Sequence, residues 1–463
     1  VSGIRFSDFE ERFFGPLKDI VHVVSDPYTG DKGYETRHHR VSSILFGVAC
    51  SDDAEKAAQL TRIINGLDVG FSSDKRVVES ICKGRNISQE FNDIDSARSV
   101  FDAALTSLPD TAFLHQQAAM LEYLHRKGSL ERAQELAELA RSLDENNHIY
   151  IHTLAEVARR RANAATSKVA SERLRAQSRS YLNSITLKDS RKDLSFCRLL
   201  VDEAIDLLRD MSEDPKDHEL LEFDEKVADA VNRLRKAQQD FPNQAEFPTV
   251  EGQFWQTLGD DEKASRALEK AIKIKPKNSG AFARLSRIQR ASGSESEATK
   301  TLDDALERFS GDKGIHLQAA LLKIETGGDP SDIIYHFRSS FSPGDHNFEA
   351  RYFLAEYLFF NGQATESKKL FEEIDSKAPD NFRKMAPSSG DPITERLSEF
   401  AGTISDKKDR YFFIQFGGYP SSVFAHMSAL VDQSFDEIEV GTPVQFHLRF
   451  NRRGPVAVSV WTD

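Results

Sequence analysis

Cysteine is nearly absent from this chain. Its three cysteines, Cys50, Cys82 and Cys197, are odd in number and far apart. That excludes a disulfide framework, and no CxxC pair offers zinc ligands; the three read as small buried thiols. No apolar run approaches the roughly 18 residues that a membrane span needs, and no signal-peptide pattern opens the chain. The expected compartment is a reducing cytoplasm, with no membrane partner. The phosphate-loop pattern GxxxxGKS/T is missing, as are GxGxxG, HExxH and GxSxG. The 13 histidines are scattered, and the single tandem pair, His38-His39, does not share a face. No metal, no cofactor and no active site are therefore expected within these residues. An excess of positive charge is lacking too. Lys and Arg total 61 against 74 Asp and Glu, a formal charge of −13, which argues against a whole-body polyanion binder. The first residue is Val1 rather than Met, and the chain is expected to be either processed or cut from a longer polypeptide, the second being favoured.

What is present is periodicity. At about 150 residues per domain, 463 residues suggest three domains, or fewer if one part is a repeat array. Ala230, Ala264 and Ala298 are spaced by 34 residues, as are Leu234, Leu268 and Leu302, and Ala237, Ala271 and Ala305. Pro242 and Pro276 close two of these units, and Gly259, Gly293 and Gly327 mark turns. Alanines seven apart lie on one helix face and let a neighbouring helix approach closely. The leucine between them fills the gap, and proline stops the helix. One such unit cannot bury its apolar face alone, so units stack into a superhelix. The run Gly252, Trp255, Gly259, Ala264, Leu268, Ala271, Pro276 resembles the tetratricopeptide repeat, a helix-turn-helix unit. Less regular copies occur at Ala97, Phe101, Ala104 and Pro109, at Ala133, Ala137 and Ala140, and at Ser367, Phe371, Ile374 and Pro379. The array is expected over residues 88–382, with a protein ligand on its surface.

Within that array one stretch is atypical. An amphipathic helix opening at Ile149, His152, Leu154 and Val157 is expected to run on through Arg159, Arg160, Arg161, Lys168, Arg173, Arg175 and Arg179. Residues 159–192 hold ten Lys/Arg against two acids, a local net of +8. Two readings stand: a patch for nucleic acid or an acidic partner, or a solvated face balancing an acidic body.

Residues 1–87 are not repeat-like. Val21–Val24 reads as a strand, Asp26–Gly30 as a turn, Tyr34–His38 as a returning strand and Ile44–Ala49 as an apolar helix, which fits the tail of a winged-helix domain. The stretch Tyr34-Glu-Thr-Arg-His-His-Arg-Val41 resembles a segment near the end of the ATPase module in bacterial STAND proteins. So do His115-Gln-Gln-Ala118 and Ile151-His-Thr-Leu-Ala155. That resemblance covers roughly residues 10–160. It implies a repeat sensor coupled to nucleotide-driven oligomerisation, often in defence against phage. The ATP-binding residues would lie upstream of Val1.

Pro379–Pro392 reads as a linker, taken as residues 383–399. Beyond it the period changes to alternation. Tyr411 and Phe413 alternate with Phe412 and Ile414, and Val423–His426, Val444–Leu448 and Val456–Val460 read as further strands. About 65 residues with five short strands suggest a small β-barrel over residues 400–463. Tyr411-Phe-Phe-Ile414, Val423-Phe-Ala-His-Met-Ser-Ala-Leu430, Phe435, Gly441-Thr-Pro-Val-Gln-Phe446 and Gly454-Pro-Val-Ala457 resemble the cold-shock domain, an oligonucleotide-binding barrel. The resemblance places Tyr411, Phe413, Phe424 and His426 at base-stacking positions, with Lys407, Lys408 and Arg410 beside them. Arg410 and Phe412 replace the family's glycines, and Ser405–Lys408 lacks its aromatic residue. The local charge is only −1, from six basic residues against seven acids, so single-stranded nucleic-acid binding and a purely structural or protein-contact barrel both stand.

The expected architecture is mostly α: a tetratricopeptide-like superhelix, a small C-terminal β-barrel and a winged-helix-like N-terminal remnant. The expected function is a non-catalytic sensor or scaffold in a bacterial anti-phage STAND system, with oligomerisation open to the full-length protein. The alternative is an RNA- or single-stranded-DNA-binding adaptor without a defence role.

Overall fold

The computed structural model describes residues 21–25, 32–36, 50, 52–212, 214–342, 345, 347–378, 382, 399–417, 419–431 and 434–462. Among these are eighteen α-helices and seven β-strands. The chain forms two compact units, residues 1–241 and 242–463.

The first unit opens with an antiparallel hairpin, β1 (Val21–Ser25) and β2 (Lys32–Thr36), in register from Val21 opposite Thr36 to Ser25 opposite Lys32. The expected returning strand is thus present but begins two residues earlier than Tyr34. The expected turn at 26–30 and helix at 44–49 lie outside the described residues. Ten helices follow: α1 (Asp53–Asn65), α2 (Ser72–Ile81), α3 (Gly84–Glu90), α4 (Ile94–Ser107), α5 (Ala112–Leu124), α6 (Leu130–Leu143), α7 (His148–Ala164), α8 (Lys168–Ser184), α9 (Ser190–Asp210) and α10 (Asp217–Asp240). Helices α1 and α4 share a core in which Ala57, Ile64, Val78, Cys82 and Ile87 meet Ala97, Val100, Phe101 and Ala104. Gly84 explains how closely α3 approaches α5: a Cβ there would lie 2.2 Å from the Gln117 carbonyl oxygen.

Beyond α4 the helices pair as α5 with α6, α7 with α8, and α9 with α10. The single helix expected across residues 149–179 is instead two helices. Ser167 ends the connection by accepting the Ala170 N–H, which caps α8. Local capping wins here because a side-chain oxygen satisfies a helix N–H that otherwise has no partner.

The second unit continues with pairs α11 (Glu246–Thr257) and α12 (Asp261–Ile274), α13 (Ser279–Ala291) and α14 (Glu295–Arg308), α15 (Lys313–Glu325) and α16 (Pro330–Ser339), and α17 (Phe348–Phe360) and α18 (Ala364–Lys377). The 34-residue alanines Ala264, Ala271, Ala298 and Ala305 are fully buried, and Leu268 lies between two of them in the core. Gly259, Gly293, Gly327 and Gly362 all take φ between 73° and 77°, a left-handed helix ending that L side chains disfavour. Gly252 is set by packing instead: a Cβ there would meet Leu268 Cγ at 2.8 Å and the Ala264 carbonyl oxygen at 3.2 Å. Gly252→Ala is therefore expected to destabilise the second unit by about 1–3 kcal/mol, because overpacking outweighs the gain in helix propensity. A urea titration checks this, and a more stable variant would refute it.

Five strands close a barrel in the order β3-β4-β5-β7-β6: β3 (Glu399–Lys407), β4 (Tyr411–Gln415), β5 (Val423–His426), β6 (Pro443–Asn451) and β7 (Gly454–Thr462). All pairings are antiparallel except β5 with β7. Ile404, Phe412, Ile414, Val423, Ala425, Phe446, Leu448 and Val460 fill it. The barrel does not stand apart from the helices. Its core is continuous with Phe348, Tyr352, Phe359, Phe371 and Ile374 of α17 and α18. The Phe359 ring centroid lies 5.2 Å from that of Phe450 and 5.3 Å from that of Tyr419, and Phe371 stacks on Phe450 at 5.8 Å. Arg452 adds an ion pair of 2.6 Å to Asp375. No helix among the described residues is long and apolar enough to cross a membrane.

Candidate nucleic-acid interface and the basic helix pair

Alternation along β4 and β5 separates two sets of side chains. Phe412, Ile414, Val423 and Ala425 point into the barrel, and Tyr411, Phe413, Phe424 and His426 lie on the outer face. The antiparallel register sets Tyr411 opposite His426 and Phe413 opposite Phe424. Ring centroids are 5.7 Å apart for Tyr411 and Phe413, 5.5 Å for Tyr411 and Phe424, and 6.1 Å for Phe413 and Phe424. Tyr411 keeps 36% and Phe424 37% of its surface exposed. His426 closes the strand, with Nδ1 2.8 Å from Ser428 Oγ. Among the described residues, the ring contacts of the docked helices with the barrel fall on Phe400, Phe416, Tyr419 and Phe450, outside this face. A contiguous, exposed aromatic surface of this kind can stack planar rings.

The four aromatic positions are thus brought together, while the three cations differ among themselves. Lys407 Nζ donates to the Ile438 carbonyl at 2.8 Å and lies 4.7 Å from the Phe435 ring centroid. Lys408 pairs with Asp406 at 2.9 Å. Arg410 is exposed in the turn just before β4. One departure from the family pattern has a packing explanation: Phe412 is 0% exposed and fills the barrel beside Phe435. Gln415, Ser422 and Ser405 extend the face as a polar edge. Ser422 Oγ donates to Gln415 Oε1 at 3.1 Å and lies 2.9 Å from Ser405 Oγ. Sequence reasoning passed over this edge, although the alternation through Tyr411 and Phe413 reaches Gln415. Met427, exposed just after His426, was passed over as well.

Much of the basic stretch is compensated within the fold. Four of its seven cations are neutralised by carboxylates. Arg159 pairs with Glu156 at 2.8 Å and with Asp202. Arg160 pairs with Glu156 at 3.0 Å, Arg175 with Asp206, and Arg179 with Glu203 at 2.5 Å. Arg159 and Arg175 are themselves buried. Arg161, Lys168 and Arg173 have no ion-pair partner among the described residues. Burial alone would raise the Glu156 carboxyl, but Arg159 and Arg160 outweigh it and hold the group down at about 2. The compensation comes from the acidic face of α9. It supplies Asp202, Glu203 and Asp206 to α7 and α8 from 24 to 43 residues away.

Two motif segments also have packing roles. Gln116 Nε2 donates to Thr153 Oγ1 at 3.1 Å in a buried contact, and Gln117 Oε1 accepts the Gly84 N–H at 2.8 Å. His152 Nε2 lies 2.9 Å from Ser195 Oγ. Among the described residues no group of three or more His, Cys, Asp or Glu could hold a metal ion. Cys50, Cys82 and Cys197 are free and buried, and burial pushes the Cys82 and Cys197 thiols up to about 12.

The geometry defines a helical-repeat scaffold carrying a small oligonucleotide-type barrel. Comparison with known families agrees. Residues 401–462 match the 'Cold-shock' DNA-binding domain, and residues 252–278 match the tetratricopeptide repeat. Among solved structures, a thermophilic TPR protein of Thermus thermophilus is 14% identical over 54% of this chain and 98% of its own, with a TM-score of 0.30. A tetratricopeptide repeat protein of Parabacteroides merdae is 14% identical over 54% and 87%, with a TM-score of 0.36. The human IFIT1 dimer with PPP-AAAA is 14% identical over 66% and 79%, with a TM-score of 0.35. No curated protein matches.

Proposed function

We propose that this chain is a non-catalytic scaffold whose helix pairs bind a protein and whose barrel binds single-stranded nucleic acid by stacking. The observation that carries the second half is the open face of Tyr411, Phe413, Phe424 and His426, left uncovered while another part of the barrel packs on α17 and α18. Each stacked base contributes about 1–3 kcal/mol. Lys407 and Lys408 are engaged within the protein, so stacking rather than phosphate attraction supplies most of the affinity. Phe413→Ala and Phe424→Ala are each expected to weaken single-stranded RNA or DNA binding by about 1–3 kcal/mol. Because few phosphates are neutralised, the salt dependence is expected to be shallow. Fluorescence anisotropy at two salt concentrations tests both points. Unchanged affinity in both variants sinks the stacking reading.

The scaffold is assigned to the sensor part of a STAND-type signalling ATPase acting against phage. The support is the resemblance of residues 34–41, 115–118 and 151–155 to that group. A phosphate-loop motif in the sequence preceding Val1 is the expected finding. Its absence, with nucleic-acid binding retained, would leave an adaptor without a defence role.

A further inference from the structure

Helices α15 and α16 bury a pair of histidines that their separation in the sequence gave no sign of. His316 is 2% exposed and His336 6%. Their Nδ1 atoms lie 2.9 Å apart, with ring centroids at 5.1 Å. The outer nitrogens have partners as well. His316 Nε2 lies 3.0 Å from the Ser310 carbonyl oxygen, and His336 Nε2 lies 3.5 Å from Asp332 Oδ1. Asp332 is partly exposed, and its other oxygen pairs with Lys323 at 2.7 Å. Tyr335 packs edge-on against both rings, with centroids at 5.9 and 5.3 Å. Among the described residues no ion pair or hydrogen bond joins either ring to α13, α14 or α17.

This row of contacts limits how many protons the pair can hold. A carbonyl only accepts, so His316 Nε2 carries a hydrogen. Between the two Nδ1 atoms there is room for one hydrogen, donated by one ring to the other. A neutral pair therefore leaves His336 Nε2 bare before Asp332. One added proton fills that position, and every ring nitrogen then has its partner. A second added proton places hydrogens on both Nδ1 atoms, which face each other at 2.9 Å. The hydrogen bond then becomes a repulsion between two buried cations.

We propose that His316 and His336 form a proton-responsive latch, which holds α15 against α16 until both rings are charged and then releases them. Burial pushes His336 below the ordinary histidine value of 6.5; Asp332 opposes this, and His316 and Lys323 add to it. The open form thus binds protons more readily than the closed one. The latch is fully closed above the ordinary value and is lost as pH falls below it. Because α15 packs on α13 and α14, and α16 on α17, release loosens the connection from the central repeats to the pair that carries the barrel.

The test is hydrogen exchange of the full chain, read by mass spectrometry at about pH 7.5 and about pH 5.5, on either side of the ordinary histidine value. Rates are corrected for intrinsic exchange, and α12, which contains no histidine, is the internal reference. Peptides within residues 313–339 are expected to exchange about tenfold faster at the lower pH, with little change in α12. His336→Asn sets an amide at the Nδ1 position, which donates to a neutral His316 and turns to accept from a charged one. That variant is expected to stay protected at both pH values. Asp332→Asn removes the acceptor that draws the first proton, and is expected to move the opening to lower pH. Equal protection of the wild type at both pH values overturns the proposal. So does an opening of His336→Asn that matches the wild type. If His336→Asn is unprotected already at the higher pH, Asp332→Asn decides, and an opening that does not move sinks the latch.

Discussion

Phe371→Ala is expected to destabilise the barrel and the last helix pair together, by about 3–5 kcal/mol. Phe371 is fully buried. Its ring meets Tyr352 edge-on at 5.9 Å and stacks on Phe450 at 5.8 Å. It also closes on Gly454, where φ is +112° and an added Cβ would lie 3.4 Å from the Phe371 ring. Removing the ring leaves a cavity lined by both a helix pair and a barrel, and neither side can collapse alone to fill it. Trp461 on β7 reports the barrel once Trp255 has been replaced by Phe, and far-UV circular dichroism reports the helices. In a urea titration both signals are expected to shift to the same lower midpoint. A helical transition that moves while the Trp461 transition stays put would show that the core is not shared.

A second large effect is expected at Glu156. This carboxylate is buried and accepts from Arg159 at 2.8 and 3.0 Å and from Arg160 at 3.0 Å. Replacing one member of a buried ion pair leaves the other charges uncompensated, at a cost of about 3–5 kcal/mol. Glu156→Gln is therefore expected to unfold the first unit at a markedly lower denaturant concentration. Glu156→Gln together with Arg159→Met is expected to recover part of the loss, because fewer charges are then left buried. If the single variant matched the wild type, the network would carry no stability. The same group sets a pH dependence. Its folded pKa, held down at about 2 by Arg159 and Arg160 against the opposing effect of burial, lies below the ordinary carboxylate value of 4.5. The unfolded chain then binds the proton more tightly, so the contribution of Glu156 is fully present above the unfolded value. It is lost as pH falls from there through about 2. Acid titrations of the wild type and of Glu156→Gln should converge in that window and separate above it.

Much of the candidate interface was legible in the sequence. Tyr411 and Phe413 alternate with Phe412 and Ile414, and a period of two assigns the sets to opposite faces of a strand whatever lies around it. Phe424 and His426 were named by resemblance, and their pairing with Phe413 and Tyr411 comes from the register of β4 with β5. The basic stretch was not legible. Its +8 stopped at Lys192, near the start of α9, and so left out Asp202, Glu203 and Asp206, which follow just after the stretch in sequence and lie against it in space. Lys407 was likewise counted as a surface cation, but the loop carrying Phe435 and Ile438 takes it up.

The sequence by itself determined the repeating helix pairs and the small barrel. Alanine and leucine spacing, left-handed glycines and strand alternation act within one turn, one hairpin or one 34-residue repeat. Only the tertiary structure decided which charges cancel and where the barrel sits. Glu156 and Asp202 meet at Arg159, and Phe359, Phe371 and Phe450 meet across helix and strand. The reason is range. Periodicity is written into neighbours along the chain, whereas ion pairing and core continuity depend on which distant segments the fold brings within a few ångströms.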